Sequence, residues 1–147
     1  MKYLLNLAIL AFAFLINVPG QNSFNYSVEL EAVDIPGLPG LHSYAFGQHD
    51  GKWLIIGGRK DGMHARQLMF SFPQTQNNMD IFVVDNNAPQ FWSASLNNLP
   101  TGIKEQLQST NMNFYQDNDT LYIIGDYAFP TTANQHITFP NLTSSTG

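Results

Sequence analysis

The sequence predicts an all-β fold: a four-stranded antiparallel unit followed by the start of a second. Three observations predict it. A strand-turn-strand pattern recurs at an offset of 68 residues, carrying Gly57 onto Gly125. A different hairpin pattern, residues 80–96, lies between the two copies, so four strand-like runs precede the repetition. No segment of ten or more residues carries a helical apolar period.

The repetition defines the first elements. Phe46, Gln48, Ile55, Ile56 and Gly57 recur as Phe114, Gln116, Ile123, Ile124 and Gly125. In each copy a short alternating run meets a polar turn, and a β-branched run follows and stops at glycine. Asp50-Gly51 is a strong hairpin signal because a type I′ turn needs positive φ at both central residues. Asn118-Asp119 is a weaker form of the same turn. The intervening hairpin runs Asp80-Ile81-Phe82-Val83-Val84-Asp85, turns through Asn86-Asn87-Ala88-Pro89, and returns through Phe91 and Trp92. Residues 101–108 are expected to form a turn or two of connecting helix, with Ile103 and Leu107 on one face.

Residues 1–20 stand apart. Lys2 precedes an apolar run from Tyr3 to Ile16, broken only by Asn6, and Val18-Pro19-Gly20 closes it. This is the order of a secretory signal peptide, and the run is shorter than the ~20 residues that span a bilayer. Cleavage after Gly20 would leave Gln21 at the N-terminus and no stable membrane anchor. Residues 21–40 form a lead-in, with a strand expected over 27–33 and a break at Pro36-Gly37-Leu38-Pro39-Gly40.

Composition narrows the function. Charged residues are 12% of the chain, the net charge is −5, and cysteine is absent. Lys and Arg total six, too few for a groove that neutralises phosphates, so nucleic acid is not an expected partner. Without cysteine there is no disulfide, no thiolate metal site and no cysteine nucleophile.

Three features together resemble a kelch repeat, the four-stranded blade of a β-propeller, of a secreted bacterial type. Gly57-Gly58 ends a hydrophobic second strand, Asp80 and Asp85 flank an aromatic, Phe82, on the third, and the fourth carries Trp92. The resemblance covers residues 41–129. Phe82 stands where tyrosine is usual, and Asp126 replaces the second glycine in the second copy. The resemblance implies a first blade over 41–100 and a partial second over 101–147. It also implies that Phe82 and Trp92, facing each other across the hairpin, pack between blades. Gly57 and Gly58 then supply positive φ and close backbone approach, with Gly125 as the equivalent of Gly57. Propellers use ~4–8 blades, so the chain reads as the N-terminal part of a longer array; the alternative is a small independent β-sandwich that resembles a kelch blade only locally. A third strand is expected over residues 136–139, with nothing to close the sheet after Pro140. Such a product is expected to self-associate through an unpaired edge.

Candidate ligand residues gather in the long loop 59–79, where Arg59, Lys60, His64 and Arg66 could hold an anionic or sugar ligand by charge-assisted hydrogen bonds. His42 reads as a packing or capping residue before the first strand. The four histidines show no local metal-ligand spacing. Asp117-Asn118-Asp119 lacks the glycine and distal glutamate of a calcium loop and reads as a turn. No catalytic set, metal site or cofactor site is expected. The expected function is a secreted or envelope-associated module that binds proteins or glycans. The rival is the N-terminal part of a sugar-acting propeller enzyme, resembling sialic-acid mutarotases or galactose oxidases.

Overall fold

Among the described residues, nine short strands, one helix and two single-turn 3-10 segments make up a mostly β fold. The computed structural model describes residues 26–62 and 72–147, so the signal-peptide reading falls outside the described residues. The chain divides into two compact units, Met1–Ala32 and Val33–Gly147. Of the first, residues 26–32 are described. They are exposed and carry no strand, which corrects the expected lead-in strand. Alternation alone does not make a strand, because its backbone groups need an edge to pair with.

In the second unit, β1 (Ala45–His49), β2 (Lys52–Ile56), β3 (Asp80–Asp85) and β4 (Gln90–Ser95) form one antiparallel sheet in chain order. The Asp50-Gly51 turn has φ of 46° and 72°, the expected type I′ signature. Gly57 and Gly58 also take positive φ, at 68° and 82°. A Cβ on Gly57 would lie 2.4 Å from the Leu107 carbonyl oxygen, and one on Gly58 would lie 2.5 Å from that of His42. Asn78, fully buried, donates to the carbonyl of Gly57 at 3.0 Å and fixes this exit.

A second antiparallel sheet joins β5 (Asn113–Asp117), β6 (Thr120–Ile124) and β9 (Leu142–Thr146), in the order β5-β6-β9. A two-residue ribbon pairs β7 (Tyr127–Ala128) with β8 (Ile137–Thr138). Two expectations are corrected here. The segment around 136–139 supplies β8 of the ribbon, and the polar tail supplies the third strand of the sheet. Backbone pairing, Ile124 to Leu142 through Thr120 to Thr146, fills the β6 edge that was expected to be open. The Asn118-Asp119 turn also departs from the first, since only Asn118 takes a positive φ, 49°. Gly125 keeps an ordinary φ; its requirement is space, because a Cβ there would lie 2.1 Å from the Phe139 carbonyl oxygen.

Helix α1 (Thr101–Leu107) connects the sheets. Leu107 is buried but Ile103 is exposed, so the inward face runs instead through Glu105, Gln106 and Leu107. Gln106 donates to the Asn141 carbonyl at 2.9 Å, holding the chain just before β9. Glu105 accepts from Thr131 Oγ1, Thr132 N and Thr132 Oγ1 at 3.0, 3.1 and 2.6 Å. Burial pushes this carboxyl up, but the hydrogen bonds from Thr132 and Thr131 outweigh it and hold the group below its ordinary range.

The core follows the pleat. Along β2, Leu54 and Ile56 face one side, and Trp53 and Ile55 face the other. On the first side Ala45 and Ile56 pack with Leu96, Leu107, Met112, Leu121 and Ile123, joining the two sheets. On the other, Ile55, Phe82 and Val84 pack beneath Ile35 and Leu38 of the lead-in and Leu41 just after it. Phe82 is buried, but beneath this cap rather than between the two sheets as expected, with its ring 5.8 Å from that of Phe91 in an edge-to-face pair. Trp92 is not. It is 49% exposed and lies opposite Val83, while Phe82 faces Ser93. The pleat puts adjacent residues on opposite faces, so Phe82 and Trp92 cannot share one.

Candidate functional site: a polar cleft at the hairpin turns

Successive antiparallel hairpins bring alternate turns to one end of a sheet. Here the β1–β2 turn at Asp50-Gly51 and the β3–β4 turn at Asn86-Asn87 share that end. The second sheet adds the β5–β6 turn, Asn118-Asp119. The three turns enclose a cleft of about 790 Å³ lined by Gln48, His49, Asp50, Gly51, Trp53, Asn86, Asn87, Asn118 and Asp119. A narrower, more apolar groove of about 310 Å³ adjoins it and shares Gln48, His49, Trp53 and Asp119.

One side chain sets the spacing of the turns. Gln116 accepts from the Gln48 backbone N–H at 2.8 Å and donates to the Gln48 carbonyl at 2.7 Å. It also donates to its own turn, at the Asn118 carbonyl, 2.7 Å away. The two glutamines are repeat equivalents, so the second copy clamps the exposed strand edge of the first. His49 then bridges the sheets, with Nδ1 3.0 Å from Asp119 and Nε2 3.4 Å from Asp50. Gly147 N–H donates to the Asp119 carbonyl at 3.0 Å and fixes the far wall.

The cleft is rich in acceptors and amides. Asp50 and Asp119 present carboxylates, and Asn87 and Asn118 present carboxamides that both donate and accept. Asn86 lines the cleft, and its Oδ1 is a buried acceptor without a protein hydrogen-bond partner. Trp53, 39% exposed, adds an aromatic surface; its other side meets Phe46 edge-on at 5.6 Å between centroids. Polyhydroxylated ligands need such a set: planar amides and carboxylates for hydroxyl pairs, and a ring for the C–H face.

The residues that the sequence singled out lie elsewhere. Arg59 follows the opposite end of β2, is 1% exposed, and is corrected from ligand residue to structural centre. Its Nε and Nη2 donate to the two carboxylate oxygens of Asp61 at 2.9 and 2.6 Å, Nη1 donates to Asn77 Oδ1 at 3.0 Å, and Nη2 also donates to the Pro73 carbonyl at 3.2 Å. The guanidinium also sits 5.2 Å from the Phe72 ring centre. A guanidinium so occupied has little left for a ligand. The hydrogen bond from Arg59 holds the Asp61 carboxyl below its ordinary value, against the upward push of burial. Lys60, exposed, lies 3.9 Å from Asp80 on this same side. His42 donates or accepts with Ser43 Oγ at 3.0 Å and approaches Asp61 at 3.5 Å, in line with a packing role. His64 and Arg66 lie outside the described residues.

Sequence reading missed Trp53, Asn86, Asn87 and Asp119 as a group. The available signal was the placement of each at a hairpin turn, since turns of alternate hairpins must converge. Among the described residues no cluster of three or more His, Cys, Asp or Glu could hold a metal, and no helix is long and apolar enough to cross a membrane. Compared with known proteins, the chain matches no family model, no curated protein and no solved structure.

Proposed function

We propose that this chain is an exported binding module of kelch-like β-blades whose turn-end cleft takes a neutral glycan. The observation that carries the reading is the cleft itself, in which Trp53 stands beside the carboxylates of Asp50 and Asp119 and the amides of Asn86, Asn87 and Asn118. Its acidic lining favours hydroxyl donors, the sugar alternative expected for the 59–79 loop, over anionic ligands, because an anion would meet two carboxylates. Export rests on the charge, apolar run and Val18-Pro19-Gly20 of the first twenty residues. The resemblance to kelch blades rests on the glycine pair, the Asp-flanked aromatic, Trp92 and the repetition.

The test is calorimetric titration of the exported chain with neutral and with sialylated or sulfated oligosaccharides. Neutral sugars are expected to bind, and Trp53→Ala to weaken binding by about tenfold or more, ~1.4 kcal/mol. Binding confined to the anionic panel, or unchanged in Trp53→Ala, would overturn the reading. Mass spectrometry of exported material is expected to give Gln21 as the first residue; a retained Met1 would refute cleavage.

A further inference from the structure

The internal repetition specifies what each sheet face packs against. In the first sheet, Gly47, Leu54 and Ile56 face the second sheet. Leu121 approaches so closely that a Cβ on Gly47 would lie 3.3 Å from it, and equally 3.3 Å from the Gln116 side-chain oxygen. Shifted by the repeat offset, the same positions in the second sheet are Tyr115, Tyr122 and Ile124. Nothing described covers them. Tyr115 is 68% exposed, Tyr122 37% and Ile124 52%, and Leu142, opposite Ile124, is 63% exposed. Soluble chains rarely present such a contiguous apolar face without a partner.

The complementary surface is also on this chain. The second sheet meets the first through Leu121, Ile123 and the Gln116 side chain, whose repeat equivalents are Trp53, Ile55 and Gln48. No hydrogen bond is described for the Gln48 side chain, although its twin makes three. Ile35, Leu38 and Leu41 lie over this face as a cap. The cap is loosely seated: a cavity of about 220 Å³ remains between it and the sheet, lined in part by Ile35, Leu38, Ile55 and Val84. The one described backbone hydrogen bond of residues 33–40 is internal, Leu38 N–H to the Ile35 carbonyl. A segment held by side-chain contact alone opens at low cost.

We propose that the face formed by Tyr115, Tyr122, Ile124 and Leu142 docks a second copy of this chain head to tail, on the face that residues 33–41 cap. In the docked pair Gln48 of one copy takes the Gln116 backbone of the next, repeating the contact within the chain. The cap competes with the incoming copy and keeps association weak. Because the two surfaces differ, the contact is heterologous and extends beyond a dimer once the cap is lifted.

Two experiments test this. Sedimentation velocity on Ile35→Asp/Leu38→Asp should show concentration-dependent oligomers larger than those of the intact chain, and adding Ile124→Lys should abolish them. A monomeric cap variant, or oligomers indifferent to Ile124→Lys, overturns the proposal. The second experiment leaves the cap intact. The chain lacks cysteine, so Tyr115→Cys and Gln48→Cys each carry one thiol, placed like the Gly47–Gln116 contact within the chain. Mixed in equal amounts and mildly oxidised, they should give the mixed disulfide well above the half of all dimers that random pairing yields. A statistical mixture, or homodimers in excess, overturns the proposal even if the cap variant fails to fold.

Discussion

At the scale of single residues, two carboxylates, one beside buried Arg59 and one just past the end of β6, shift stability with pH in opposite ways. Arg59 is enclosed with Asp61 bound to its fork. Removing one partner of such a pair leaves a charge without compensation, so Arg59→Leu is expected to destabilise by about 3 kcal/mol in urea unfolding. The pair also fixes a pH response. The Asp61 carboxyl is held low in the fold by the Arg59 hydrogen bond, so its contribution is fully present above the unfolded value near ~4 and is lost as pH falls through the lower folded value. Acid titration of unfolding free energy should therefore fall below about pH 4 in the intact chain, and less steeply in Arg59→Leu. Asp126 has the other sign. Burial raises its carboxyl, with a smaller opposing hydrogen bond from the Tyr127 backbone, so the fold loses stability as pH rises from the unfolded through the raised folded value. Asp126→Asn is expected to remove that loss, read as increased stability at neutral relative to acid pH. Trp92→Ala follows from exposure: half-exposed, it should cost no more than about 2 kcal/mol, below the ~3–5 kcal/mol of a fully buried aromatic.

At the scale of elements, glutamine and the C-terminal strand do what the apolar pattern does not. Gln116 joins the sheets through the Gln48 backbone rather than through a shared strand ladder. Gln116→Ala should cost about 1 kcal/mol, since water replaces these exposed bonds in part. It should also widen the cleft, which a loss of glycan affinity without loss of fold would reveal. Strand β9 completes the second sheet against β6 although its sequence is Leu-Thr-Ser-Ser-Thr. Its pairing is backbone pairing, with β-branched Thr143 and Thr146 suited to an extended conformation. Removing residues 142–147 should expose the β6 edge and increase aggregation over that of the intact chain, checked by light scattering.

At the scale of the whole molecule, the two sheets share one core. Ala45 and Ile56 of the first and Leu121 and Ile123 of the second lie in the same buried cluster with Leu96, Leu107 and Met112. Helix α1 and its C-cap residue Gln108 bind both sides of that cluster: Gln108 Oε1 accepts from Asn77 at 3.4 Å and Gln106 donates to the Asn141 carbonyl at 2.9 Å. Residues 33–147 are therefore expected to unfold in one transition, with Trp and Tyr fluorescence and far-ultraviolet dichroism coincident. Separate transitions for the two probes would mean that the sheets fold independently.

What the sequence determined by itself was local: the β class, the four strands in their order, the Asp50-Gly51 turn, the positive φ of Gly57 and Gly58, and the repetition that relates Gln48 to Gln116. Each depends on the dihedral preferences and alternation of a few neighbouring residues. The tertiary structure decided what depends on distant partners. The β9 pairing had no apolar signal, because an edge strand can be held by backbone groups that every residue carries. Arg59 resembled a ligand residue until Asp61, Asn77 and the Pro73 carbonyl closed around its guanidinium. Trp92 seemed buried until register placed it opposite Val83 and away from Phe82. The cleft gathers turns separated by 68 residues of chain, and only the packing of one sheet on the other brings them within reach of a single ligand.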